Sequence, residues 1–91
     1  MEPYPEEIKA FIREQSSLFW YTPADQKENV SQELLVETIL NYGDMDAVRK
    51  LVRLMGVKQV AAVFFGAKGR KELNYFPEIR SYFTLVFNKY A

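Results

Sequence analysis

Ninety-one residues, 48% apolar and 26% charged, suffice for one hydrophobic core and lack the low-hydrophobicity, high-charge composition of a disordered chain. The chain contains no histidine and no cysteine, which removes the commonest general base, the thiolate nucleophile, disulfides and soft metal ligands, and with them most hydrolase and redox mechanisms. The zero net charge is a cancellation of two blocks: residues 1–46 hold ten acids and three bases, and residues 47–91 hold nine bases and two acids. Such sorting predicts an anionic partner or a contact between two copies, in which the acidic half of one attracts the basic half of the other.

The start, Met1-Glu2-Pro3-Tyr4-Pro5-Glu6-Glu7, is acidic and proline-bearing where a secretory signal needs bases and an apolar run. No export is expected, residues 1–4 read as a disordered tail, and the cysteine-free composition fits a reducing cytoplasm. Pro5 suits the first position of a helix, with Glu6 and Glu7 in the first turn and Ile8, Phe11 and Ile12 as an apolar stripe running to about Ser16. Leu18-Phe19-Trp20-Tyr21 follows, an aromatic cluster with the only tryptophan. In a domain this small it is expected to anchor the core, with an exposed partner-binding anchor formed by Phe19, Trp20 and Tyr21 as the alternative.

Residues 21–29 combine a proline with short polar side chains and read as a connecting loop. Asn29 or Ser31 caps a second helix over Gln32 to Tyr42, with Leu35, Ile39 and Tyr42 on one face, Val36 and Leu40 beside it, and Gly43 as a left-handed stop. Asp44 caps a third helix, in which Val48, Leu51, Val52 and Met55 form the apolar face, Arg49, Lys50 and Arg53 the wet one, and Gly56 the end. Val57 to Phe65 is apolar on every side, so periodicity alone leaves both helix and strand open; the flanking glycines favour a buried helix. Its apolar run, Val60 to Phe65, falls far short of the roughly 20 residues that span a bilayer, so no membrane partner is expected. A last helix starts near Pro77 and carries Ile79, Tyr82, Phe83, Val86 and Tyr90 at helical spacing. The expected fold is all-α: a single compact domain, residues 1–91, of about five short helices with a helix-turn-helix-like middle section.

Three patterns bear on chemistry. Asp44-Met45-Asp46 has the spacing of a carboxylate pair for magnesium, but its place between a helix stop and an amphipathic run makes a cap and a first-turn acid the simpler reading. Gly66-Ala67-Lys68-Gly69-Arg70-Lys71 is a glycine-rich basic loop without the spacing of a nucleotide-binding loop. It reads as a solvated linker, with phosphate contact by Lys68, Arg70 and Lys71, aided by Arg49, Lys50 and Arg53, as the sharper alternative. The helix pair about Gly56 has the outline of a DNA-binding motif, yet Val60, Val63 and Phe64 would occupy its reading positions and only Lys58 and Gln59 are suited to bases.

Phe19-Trp20, then Glu37-Thr38-Ile39-Leu40-Asn41-Tyr42-Gly43-Asp44, then Leu51-Val52-Arg53-Leu54-Met55-Gly56 with Val57-Lys58-Gln59-Val60, and finally Tyr82-Phe83, resemble a small bacterial domain family of unknown function. The resemblance covers residues 18 to 87 and departs from the family pattern at Tyr21, in place of aspartate, and at Val48, in place of an aromatic. Genes of that family often lie beside nucleotidyltransferase toxins of the abortive-infection type. The resemblance implies an antitoxin-like or accessory role with no catalytic residues to carry over.

The reading that results is a non-enzymatic interaction protein without cofactor or metal, binding a partner protein, such as a toxin, and self-associating through its charged halves. The alternatives are a small DNA-binding transcriptional regulator that uses the basic half, and a carboxylate-only magnesium enzyme.

Overall fold

The computed structural model describes residues 4–20, 22, 30–67 and 74–91, and these fold into α1 (Glu6–Glu14), α2 (Gln32–Tyr42), α3 (Met45–Met55), α4 (Val57–Gly66) and α5 (Pro77–Tyr90), with a 3-10 turn at Ser16–Phe19. The protein is an all-α bundle, and among the described residues there is no strand. In α1, Ile8, Phe11 and Ile12 are buried as their spacing requires, while Pro5 stands just outside the helix and its carbonyl accepts from the amides of Ile8 and Lys9, both at 3.1 Å. The helix stops at Glu14, and the tighter turn after it swings Phe19 fully into the interior while Trp20 emerges on the outside.

Ser31 caps α2, its hydroxyl accepting from the Leu34 amide at 3.1 Å. Leu35, Val36, Ile39, Leu40 and Thr38 are buried, a wider band than one stripe, because α2 packs against α3, α4 and the 3-10 turn. Tyr42 does not extend that band; it is 47% exposed. Gly43 is not a left-handed stop either: its φ is −74°, open to any residue. What it supplies is room. A Cβ there would lie 2.7 Å from the Ile39 carbonyl oxygen and 3.2 Å from the Ala47 Cβ, where α2 passes into α3 through two residues.

Asp44 caps α3, accepting from the Ala47 amide at 2.8 Å, and Ala47, Val48 and Leu51 are buried. Gly56 alone joins α3 to α4; its φ of +89° is the left-handed region that glycine enters without steric cost. Residues 57–66 are helical, and α4 sits among α2, α3 and α5, which is why its sequence is apolar nearly all round. Val60 and Phe64 face the core, and Lys58, Gln59 and Ala62 remain exposed. In α5 the buried residues are Phe83 and Phe87, with Ile79 and Val86 half-buried. Tyr82 and Tyr90, expected on the apolar face, are 48% and 66% exposed, because α5 packs chiefly on α4 and is covered from one side.

The expectation of a disordered tail over residues 1–4 fails at Tyr4, which is 3% exposed and belongs to the core; residues 1–3 lie outside the described residues. The Tyr4 hydroxyl donates to the Val30 carbonyl oxygen at 2.7 Å, joining the start of the chain to the lead-in of α2. The radius of gyration, 12.5 Å, matches the roughly 12 Å expected of a compact domain of this length.

Two stability measurements check these contacts. Gly43→Ala is expected to lose about 2 kcal/mol in urea unfolding, by pushing apart the α2–α3 junction, whereas Gly66→Ala, which meets open space at the end of α4, is expected to be neutral or slightly stabilising. Burial, with the Glu33 carboxylate nearby, pushes the Tyr4 phenol from 10.0 up to about 12. The fold favours its neutral form, so this contribution is whole below pH 10.0 and is lost as pH rises through about 12. Tyr75, raised by burial and by Glu37, acts in the same direction. Tyr4→Phe should therefore cost about 1 kcal/mol at neutral pH and flatten the alkaline fall in stability.

Candidate interaction surface

Trp20 leaves the 3-10 turn 73% exposed, on the side of the bundle where α2 ends and where residues 74–76 lead into α5. Asn41 fixes that lead-in: its side-chain nitrogen donates to the Asn74 carbonyl at 2.8 Å, and its side-chain oxygen accepts from the Phe76 amide at 3.1 Å. Asn74 in turn donates to Glu37 Oε2 at 3.2 Å. Held this way, Phe76 stands edge-on to Tyr42, with ring centroids 5.3 Å apart and planes at 88°.

The result is an open cavity of about 180 Å³ lined by Trp20, Glu37, Thr38, Asn41, Tyr42 and Asn74. This is below the roughly 300 Å³ at which small-molecule sites begin. Trp20 and Tyr42 are of the aromatic kind enriched at protein interfaces, while Asn41, Asn74 and Glu37 hold one another and the lead-in to α5 in place.

The sequence-predicted anchor of Phe19, Trp20 and Tyr21 is divided by the fold. Phe19 is wholly buried and carries packing; Trp20 is on the surface, against the expectation that the sole tryptophan anchors the core; Tyr21 lies outside the described residues. The reason is local: consecutive residues at the end of a 3-10 turn point to different sides, so only one of the two rings reaches the interior.

Of the basic candidates, three fall on α3 and three outside the described residues. Lys50 Nζ lies 2.9 Å from Glu14 Oε1, and Arg49 Nη1 lies 3.4 Å from Asp46 Oδ1, so both contact acids of the N-terminal block. Arg53 is exposed on the same helix. Lys68, Arg70 and Lys71 lie outside the described residues. On α3, then, the acidic and basic blocks intermingle rather than forming separate patches, with Arg49 and Lys50 each beside a carboxylate, and exposed pairs of this kind add at most about 1 kcal/mol each to stability. In α1, Arg13 donates to Glu6 at 2.8 Å and holds that exposed carboxyl below its ordinary value.

Asp44 serves as the α3 cap and Asp46 pairs with Arg49, so the two carboxylates of the Asp44-Met45-Asp46 pattern have separate structural partners. Among the described residues no three aspartate or glutamate side chains come together as metal ligands do, and no helix is long and apolar enough to cross a membrane. Asn41, Tyr42, Asn74 and Phe76 were not legible as a site, because the lead-in to α5 meets the end of α2 only through contacts more than thirty residues apart in sequence.

Comparison with protein-family models, with curated proteins and with solved structures finds no match to this chain.

Proposed function

We propose that the chain is a non-enzymatic interaction module, antitoxin-like or accessory in role and acting in the cytoplasm, that binds a partner protein through the Trp20 surface. The exposure of Trp20 carries this reading. Burying an aromatic of this size in the core would stabilise the fold by on the order of 3 kcal/mol, and a 91-residue domain with one tryptophan forgoes that. Tryptophan is among the residue types enriched where a few side chains dominate a protein interface. Support for the antitoxin-like role comes from the resemblance: Trp20 belongs to its first segment and Tyr42 to its second, and the two residues line the same cavity.

The test is binding to the product of the adjacent gene, purified separately, by calorimetry. Trp20→Ala is expected to weaken binding at least tenfold while leaving the urea midpoint nearly unchanged, since the side chain lies largely outside the core. Unaltered affinity in Trp20→Ala would remove this surface as the docking site. Random duplex DNA at low salt is expected not to bind; binding that falls steeply with salt would place the function in phosphate contact instead.

A further inference from the structure

The outer face of α5 carries a second pattern that neither the core nor the Trp20 surface uses. Glu78, Tyr82, Leu85 and Lys89 are spaced four, three and four apart, which puts them on one stripe of the helix, opposite Phe83 and Phe87. All four are exposed, Leu85 by 72% and Tyr82 by 48%. The stripe is apolar at its centre, acidic at its start and basic at its end. With α5 packed chiefly on α4, this face is open along the whole helix, about 21 Å at 1.5 Å per residue.

We propose that α5 pairs with α5 of a second copy of this chain, antiparallel and about a two-fold axis. The charge order selects that arrangement. With the axis between residues 83 and 84, Glu78 of each copy meets Lys89 of the other, and Tyr82 of each meets Leu85 of the other, so every contact is made twice. Both pairs come from a single register. A parallel pairing in register would instead set Glu78 against Glu78 and Lys89 against Lys89, and align the two helix dipoles. Lys89 Nζ stands 5.4 Å from the Tyr90 ring centroid of its own chain, so its partner in the pair competes with that contact. Spacings of three and four are those by which helices interlock at a shallow crossing angle. One helix face is small for an interface, which makes the dimer weak and dependent on concentration.

Sedimentation equilibrium at low salt is the test, with circular dichroism verifying that each variant stays helical. The expected result is a reversible monomer–dimer equilibrium with a dissociation constant on the order of 100 µM. Leu85→Glu should weaken it at least tenfold, and Glu78→Lys and Lys89→Glu should each weaken it about fivefold or more, while the double variant Glu78→Lys with Lys89→Glu should return to within about twofold of the parent. A parent chain that stays monomeric at about 1 mM overturns the proposal without recourse to any variant. A dimer indifferent to Leu85→Glu, or a double charge reversal no tighter than the single ones, overturns it equally.

Discussion

Phe64 is the contact on which the C-terminal half of the bundle depends. Its ring, fully buried, lies edge-on to Tyr75 at 5.0 Å, to Phe87 at 5.3 Å and to Phe83 at 6.5 Å, and the Arg80 guanidinium sits 5.1 Å from its centroid. Phe64 thus touches both α5 and the segment leading into it, and its neighbour Phe65 adds a second ring contact to Phe87 at 6.3 Å. Each such aromatic pair adds about 1 kcal/mol beyond the area it buries, and the cation over the ring adds a similar amount. Tyr75 is fixed by Phe64, and its neighbours Asn74 and Phe76 are fixed by Asn41; the Tyr42–Phe76 edge of the candidate surface follows from those two attachments.

Among the described residues most buried aromatics are phenylalanines and most exposed ones tyrosines; Tyr75, 4% exposed, and Phe76, 42% exposed, are among the exceptions. Phe11, Phe19, Phe64, Phe83 and Phe87 are buried, and a phenyl ring carries no polar atom that burial would leave without a partner. Tyr4 is interior because its hydroxyl reaches the Val30 carbonyl. Trp20, Tyr42, Tyr82 and Tyr90 stand at the surface, where an amphipathic ring can meet water and a partner in turn. They fall on different parts of the exterior: Trp20 and Tyr42 share a cavity at the end of α2, and Tyr82 lies on the outer stripe of α5. Exposed rings thus stand on two separate parts of the exterior, the end of α2 and the outer face of α5.

Much of the fold was legible in the sequence because its punctuation is chemical. Ser31 and Asp44 cap the helices where short polar side chains precede apolar runs, and α2 spans the residues its periodicity marks. The helical state of residues 57–66 was legible from the flanking glycines, of which Gly56 does take the positive φ. What periodicity could not convey is which side of a helix has a neighbour. Tyr42, Tyr82 and Tyr90 sit at apolar spacing and are exposed: Tyr42 meets Phe76 edge-on at the rim of the bundle, and α5 packs chiefly on α4. Gly43 was recognisable as a stop, but its reason is a close approach between helices, which is a tertiary fact. The charge blocks looked separable along the chain and mix in space because α3 crosses α1, setting Lys50 beside Glu14.

Trp20 stands outside the core in the isolated protein, and the single indole makes this directly measurable by fluorescence. Emission at water-like wavelengths, quenched by acrylamide about as efficiently as in the urea-unfolded chain, is the predicted result. A blue-shifted emission protected from acrylamide until the protein unfolds would contradict it, by showing that the indole belongs to the interior.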